Sequence, residues 1–393
     1  MKKKLRCSLW LLIFPVIPVF VYAQNDELKN QFNPVHTAIM SLSIAPDARG
    51  GSMGDNGVSS LPDINSQYWN PSKYAFMTSK AGVSLSYTPW LRKLVNDVAM
   101  TYAAGYYKLG SSDLSAVSAS LRYFTLGYVP LFDYGGKEYL RLNPYEMAFD
   151  ASYSMKLSES SSLAVTLRFV RSDMGAEAED ELQPDNGYAA DISGYTEKYV
   201  YLGESEALWS AGFNLSNLGT KISFDGGATQ QFLPASLKIG TGLLYPFDEY
   251  NQLGIYLDVG KYLVPTLPIR RDDETEDSFT KRRDDYYSMS IFTAAWKSFS
   301  DAPDGFNEEL REIHLSLGME YNYDNRFFVR GGYYYEHPLK GNRQYFSAGA
   351  GFKMNVFQLD AAYLISTVQN NPLDQTLRVS LSFDMDGLKN LFQ

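Results

Sequence analysis

Residue types and spacings that could support catalysis are few in this sequence. Gly50-Gly51-Ser52-Met53-Gly54 matches the G-x-S-x-G string of a hydrolase nucleophile elbow. That motif requires a strand before the serine and a helix after it, whereas this string lies in a Gly-rich stretch without a strand pattern. The three histidines, His36, His314 and His337, have no metal-binding spacing. We therefore predict no catalytic residue, no metal site and no cofactor.

An acidic tract, Asp272-Asp273-Glu274-Thr275-Glu276-Asp277, lies between Arg270-Arg271 and Lys281-Arg282-Arg283. Cation binding requires a fixed ligand geometry, which this tract does not supply. The alternation of acidic and basic runs favours a solvated, charge-balanced loop.

A third group of charged residues recurs at alternate positions within long apolar segments. One interpretation is that such charges form a selective polar path through a membrane barrel. The other is that they only pair with one another in a barrel lumen, which is polar in any case. We favour the second interpretation. The predicted lumen-lining residues are Glu146, Asp150, Arg168, Asp258, Glu320, Asp360 and Arg378.

Strands must position these charges, because the segments that carry them alternate with period two. In 145–157, all the odd-numbered residues from Tyr145 to Leu157 are apolar or aromatic. The charged residues Glu146, Asp150 and Lys156 lie on the even-numbered face. The segments are longer than most soluble strands, and aromatic residues crowd their ends. The pattern predicts an all-β, transmembrane antiparallel barrel rather than a soluble sandwich.

The pattern predicts about fourteen strands, an even number as bacterial barrels require. With the first strand running outward, 172–205 and 245–251 become outer loops, while the long connections 217–234 and 263–284 fall on the periplasmic side, against the usual rule. The predicted strands are 82–90, 97–109, 113–126, 145–157, 161–171, 206–216, 235–244, 252–262, 285–297, 309–323, 326–336, 343–353, 356–366 and 375–384.

Two segments precede the predicted barrel of residues 82–393. Residues 1–23 have the basic start, apolar centre and small-residue end of a cleaved signal peptide. Residues 24–81 are rich in Gly, Pro, Asn and Ser. About fourteen strands enclose a lumen that side chains alone do not fill, so we predict that 24–81 forms an internal plug. The single cysteine, Cys7, lies in the signal peptide, so the mature chain has no disulfide.

The composition excludes two classes of protein. The chain has 45 acidic and 35 basic residues, a net charge of −10. This acidity argues against nucleic acid as a partner, since phosphate binding needs a basic face. A hydrophobic content of 45% excludes a disordered chain.

The predicted plug and barrel resemble a known family. APDARGGSMG (45–54) and QYWNPS (67–72) resemble the N-terminal signature of FadL-like outer-membrane proteins. NPYEMAFDASYSMKLSE (143–159) and HPLKGNRQYFSAGAGFKMNVFQLDAAYL (337–364) are similar to the PorV family, the FadL-like component of the Bacteroidetes type IX secretion system. The plug motif of this resemblance comprises Arg49, Gly50, Gly51, Met53, Gly54, Trp69, Asn70 and Pro71.

The resemblance implies a non-enzymatic barrel integral to the outer membrane. Such a barrel receives secreted cargo at the outer-membrane translocon barrel and binds the C-terminal signal domain of that cargo. It then carries the cargo to the attachment complex, where a PorU-like sortase cleaves the signal and the cargo is anchored to lipopolysaccharide. The sequence leaves open a runner-up function, a FadL-type transporter of hydrophobic small molecules.

The predicted outer loop 127–144 contains the most apolar loop segment, Tyr128 to Tyr134. An exposed apolar loop suits capture of an extended signal segment, although an aromatic girdle at the membrane surface has the same composition. The candidate cargo contacts are Tyr128, Leu131, Phe132 and Tyr134.

Overall fold

A computed structural model describes residues 32–385, apart from 93–94, 111–112, 176–183, 226–228, 271–273, 303–304 and 369–372. The predicted signal peptide therefore lies outside the described residues.

The predicted barrel is confirmed: fourteen strands form one closed antiparallel sheet, in which β1 pairs with β16. Two further strands, β4 (Val129–Phe132) and β5 (Glu138–Leu142), pair with each other as a separate ribbon. The barrel strands are β1 (Ala81–Pro89), β2 (Val98–Leu109), β3 (Ser115–Leu126), β6 (Tyr145–Lys156), β7 (Ser161–Asp173), β8 (Asp185–Leu202), β9 (Ser205–Gly219), β10 (Ser236–Pro246), β11 (Asn251–Tyr262), β12 (His314–Tyr323), β13 (Phe327–Tyr335), β14 (Gln344–Met354), β15 (Phe357–Ser366) and β16 (Leu377–Asp384).

The strands turn their polar side chains inward and their apolar side chains outward. In β12, His314, Ser316 and Glu320 are buried, while Leu315 and Leu317 on the other face are exposed. This arrangement is stable only when the outer surroundings are apolar, and barrel closure pairs every strand edge so that lipid meets no free backbone group. Among the helices that the structure describes, none is long and apolar enough to cross a membrane.

Two wrong sequence assignments cancelled each other in the strand count. The predicted strand 285–297 is helical, since α3 (Glu276–Ser288) ends within it and α4 (Ile291–Lys297) follows. Side chains of Thr275 and Ser290 cap these two helices by accepting backbone N–H groups. The predicted loop 172–205 instead contains β8. The predicted strand 309–323 begins only at His314, because α5 (Phe306–Arg311) occupies its start.

With β8 in place, the long connections all lie at one end of the barrel, the long-loop end. They include 220–235 and 263–313, so the two exceptions to the usual rule disappear. The opposite, short-turn end holds brief connections such as 203–204 and 324–326, and it also holds 247–250, which the sequence analysis placed outside. Bacterial barrels place long loops outside the cell, which identifies the long-loop end as the outer end.

Of the predicted plug 24–81, residues 24–31 lie outside the described residues, and we call residues 32–80 the plug. Most residues from 41 to 79 are buried against the barrel wall, whereas Phe32 and Met40 are 59% and 68% exposed. The plug contains 3-10 helices Met40–Ser43 and Pro71–Phe76, and the short α-helices α1 (Ala48–Ser52) and α2 (Ser66–Trp69). Gly54 adopts φ +71°, and a Cβ there would lie 2.7 Å from the backbone nitrogen of Tyr333. Only glycine fits this position, where the plug backbone rests directly on β13.

Candidate functional site

The seven charged residues predicted to line the lumen are all buried, with exposed fractions of 1–6%. Two of them, Asp150 and Arg168, pair with each other within the wall. Four contact the plug directly, and Asp360 is linked to the plug through Arg330 and Glu320. Burial of charge is costly unless each group is paired, so the partners of these residues define what the lumen can do.

The longest chain of ion pairs runs from the plug into the wall. The Arg49 guanidinium of α1 lies 2.9 Å from the Asp63 carboxylate of the plug and 2.9 Å from the Glu320 carboxylate of β12. Glu320 also pairs with Arg330 of β13 at 2.6 Å, and Arg330 pairs with Asp360 of β15 at 2.6 Å. Acidic and basic groups alternate along this chain, so each inner member has two opposite partners.

The link from Arg330 to Asp360 crosses an intervening strand. Gly351 of β14 faces the lumen between them, and a Cβ at this position would lie 2.8 Å from Arg330 Nη1. The missing side chain is what allows the guanidinium to reach across β14.

Three further charged side chains of the wall contact the plug. Arg378 of β16 pairs with Asp55 of the plug at 2.6 Å. The Asp258 carboxylate of β11 accepts the backbone N–H groups of Gly57 and Val58 at 2.8 and 2.9 Å. Glu146 of β6 accepts the backbone N–H of Ser41 at 3.0 Å.

Trp69 organises the plug itself. A Cβ at Gly50 would lie 2.7 Å from Trp69 Nε1, and one at Gly57 would lie 2.8 Å from another atom of the ring. The indole N–H donates to Asp47 at 2.6 Å. The two glycines therefore leave space for the indole ring, which joins two parts of the plug that are distant in sequence.

The rest of the plug motif is also buried. Asn70 donates to the carbonyl oxygens of Val58 and Gly194 at 3.0 and 2.9 Å, which joins the plug to β8. Pro71 begins the second 3-10 helix, and Met53 and Gly51 are enclosed between the plug and the wall. Ser52 of the G-x-S-x-G string donates its hydroxyl proton to the Arg49 carbonyl oxygen at 2.7 Å.

The remaining charges pair within the wall. Arg168 of β7 contacts Asp150 of β6 at 2.6 Å and Asp191 of β8 at 2.9 Å. Asn217 of β9 accepts a further hydrogen bond from the same guanidinium.

Sequence reasoning missed four residues of these networks: Asp55, Asp63, Asp191 and Arg330. Arg330 alternates with the outward Val329, so the period-two pattern of β13 contained a usable signal. Asp191 was missed together with β8. Asp55 and Asp63 lie in the plug, where no regular period indicates which way a side chain points.

The four candidate cargo contacts lie at the long-loop end, on or beside the ribbon of β4 and β5. Tyr128 and Phe132 are 52% and 58% exposed, Tyr134 is fully exposed and Leu131 is half-buried. Asp97 accepts the Tyr128 backbone N–H at 2.8 Å. Asp133 accepts the Gly135 and Lys137 N–H groups at 2.8 and 2.9 Å, which fixes the turn of the ribbon.

The described residues enclose a cavity in the lumen toward each end. A cavity of about 40 Å³ at the long-loop end is lined by Arg122, Lys238 and His314 among others. A cavity of about 380 Å³ at the short-turn end is lined by Asp63 and Asp360 with apolar neighbours. The plug contributes to both linings. Within the described part of the chain, no group of three or more His, Cys, Asp or Glu side chains is arranged to hold a metal ion.

A second buried charge cluster lies in connection 263–313. Lys261 of β11 pairs with Glu309 at 3.0 Å and with Glu312, and Lys340 pairs with Glu308 and Glu312 at 2.5 and 3.0 Å. Nearby Asp301 accepts the Thr266 backbone N–H at 2.8 Å. Burial, with smaller contributions from Glu309 and Glu312, raises the pKa of Asp301 to about 7.

A closed barrel with an apolar outer surface, a polar lumen and an internal plug defines an integral outer-membrane protein. Residues 26–269 match the family described as type IX secretion system protein PorV. The chain belongs to this family of the type IX secretion system. A search of curated proteins found no match.

Several solved structures are similar to the chain as a whole. The toluene transporter TodX of Pseudomonas putida has a TM-score of 0.49 and 11% identity, over 90% of this chain and 99% of that one. The toluene transporter TbuX of Ralstonia pickettii has a TM-score of 0.43 and 10% identity, over 88% and 98%. A FadL homologue of Pseudomonas aeruginosa has a TM-score of 0.40 and 11% identity, over 87% and 99%.

The plug–wall ion pairs predict a stability difference between buried and exposed arginines. Arg49→Met leaves Asp63 and part of the Glu320 charge unpaired, so the free energy of unfolding should fall by about 3–5 kcal/mol. Arg326→Met removes an exposed pair with Asp324 and should cost at most about 1 kcal/mol. Urea unfolding of the barrel in liposomes, followed by tryptophan fluorescence, measures both values. Equal losses would show that the Arg49 network does not stabilise the fold.

The raised pKa of Asp301 predicts that the local stability of connection 263–313 depends on pH. Since its pKa is about 7 in the folded state and near 4 when unfolded, the local stability should fall as pH rises from about 4 to about 7. Asp301→Asn should therefore slow hydrogen exchange in this connection much more at pH 8 than at pH 5, relative to the unsubstituted chain at the same pH. The same gain at both values would contradict the titration.

Proposed function

We propose that this protein binds the C-terminal signal domain of secreted cargo at its long-loop end. It then carries the cargo from the translocon barrel to the attachment complex that contains a PorU-like sortase, where the cargo is anchored to lipopolysaccharide. Membership of the PorV family supports a role in type IX secretion. The finer assignment depends mainly on one feature of the long-loop end, the ribbon of β4 and β5.

The ribbon has the properties of a site that binds extended chain. Of the strands described, β4 and β5 pair only with each other, so each retains one edge with unpaired backbone groups. An extended segment of a partner adds to such an edge by main-chain hydrogen bonds, while side-chain contacts provide specificity. Phe132 and Tyr134 project from the ribbon. The Arg141 guanidinium carbon Cζ lies 4.7 Å from the centre of the Tyr128 ring.

The plug favours a binding role over transport through the lumen. Ion pairs join it to β12 through Arg49 and to β16 through Asp55, so plug displacement would separate buried charges. Transport of hydrophobic small molecules would be favoured by a kinked strand next to an apolar internal pocket. The register shift between Ala190 and Ile192 of β8 is such an irregularity, but it lies beside the polar Arg168–Asp191 pair.

The ribbon hypothesis predicts the loss of cargo from a purified complex. Tyr128, Leu131, Phe132 and Tyr134 are replaced together by Ser, and the barrel is purified from native outer membranes in mild detergent. Mass spectrometry should find secreted proteins with a shared C-terminal signal domain bound to the unsubstituted protein, and these should be strongly depleted from the variant, since its apolar contacts are gone.

Tyr199→Ser with Tyr201→Ser is the matched control, because these tyrosines are 69% and 75% exposed near the short-turn end. The control should retain the cargo. Undiminished cargo on the ribbon variant, with the barrel assembled, would contradict the ribbon site. Recovery of the unsubstituted barrel with a bound apolar small molecule and no secreted protein would instead favour the transporter.

A further inference from the structure

Helix α4 presents an aromatic stripe to its surroundings. Phe292, Trp296 and Phe299 follow one another at intervals of four and three residues, along the helix and the turn after it, and are 73%, 83% and 51% exposed. On the opposite side, Ala294 and Ser298 are buried. Side chains at these intervals share one helix face. Three large aromatic side chains exposed together mark a surface that meets something other than water.

Helix α5 buries its acidic face and exposes its apolar face. Glu308 and Glu309 are buried, whereas Phe306 and Leu310 are 61% and 50% exposed. The acidic face points inward because Lys261 and Lys340 supply its partners. A helix beside water turns its apolar face inward. The outward apolar face of α5 therefore fits an apolar environment.

The turn after α4 and the apolar face of α5 lie against the outer surface of the barrel wall. Leu237 and Ile239 of β10 and Val259 of β11 project outward, and a groove of about 260 Å³ lies between them and Phe299, Phe306, Leu310 and Ile313. Leu237 is the second residue of β10, and β11 ends three residues after Val259. The groove is thus at the outer end of the wall, and it continues the lipid-facing surface of these strands.

We propose that α4 and α5 lie in the outer membrane–water interface, with their apolar faces in lipid and a lipid acyl chain in the groove. Continuity with the membrane-facing wall identifies lipid as the occupant, and aromatic side chains are the residues that favour this interface. Lys297, exposed at the end of α4, extends toward the polar headgroup region. This segment lies beyond residues 26–269, which match the family, and the inference does not depend on cargo binding.

The absence of cysteine after Cys7 allows a direct test. Trp296→Cys and Leu310→Cys are made separately in the full mature chain, labelled with an environment-sensitive fluorophore (NBD) and refolded into phosphatidylcholine liposomes. Both labels should show blue-shifted emission and should be quenched by lipids that carry a doxyl group near the headgroup. Tyr134→Cys, on the fully exposed tip of the ribbon, should show neither effect.

Heat-modifiable migration in electrophoresis confirms that each labelled barrel is folded, and Phe292→Cys replaces any variant that fails to refold. Emission and quenching at positions 296 and 310 equal to those at position 134 would overturn the proposal. Shielding that develops only after outer-membrane proteins are added would also overturn it, and would identify the surface as a protein-docking site.

Discussion

Charges inside a membrane barrel are stable only when they are paired, and here the pairing joins two parts of the chain that are far apart in sequence. Arg49 of the plug lies between Asp63 and Glu320, and Glu320 continues through Arg330 to Asp360. Removing the plug would leave Glu320 with one partner instead of two, and would leave Arg378 without Asp55. The lumen wall and the plug therefore require each other.

In the proposed function, this mutual dependence favours partner binding at the outer end of the barrel over transport through the lumen. A plug fixed by buried ion pairs leaves the outer end as the surface on which a partner can bind without breaking the fold. That end has two exposed apolar features with different surroundings. The ribbon of β4 and β5 extends from the end of β3, whereas α5 and the turn after α4 lie against the outer surface of β10 and β11.

The sequence predicted those features whose physical basis is local. Alternation identified the barrel, because lipid outside and polar groups inside impose period two on every strand. The seven charges that it predicted for the lumen are buried. The strand prediction for 285–297 was wrong, because this segment is helical. Its helices depend on the caps Thr275 and Ser290 and on the burial of Ala294, which a search for period two does not detect. The partners of Arg49 were not predictable, because no local pattern relates Asp63 to Glu320.

The proposed cargo site at the outer end requires no displacement of the plug. The Ser84 hydroxyl of β1 donates to the Asn65 side chain of the plug at 2.6 Å, so we expect Asn65→Cys with Ser84→Cys to join plug to wall by a disulfide on oxidation. Electrophoresis with and without reductant checks that the disulfide forms. Surface display of proteins with the C-terminal signal domain is then measured in cells that carry the oxidised pair, with each single substitution as control. We expect unchanged display when the plug is locked. Loss of display on oxidation, restored by reduction, would contradict it.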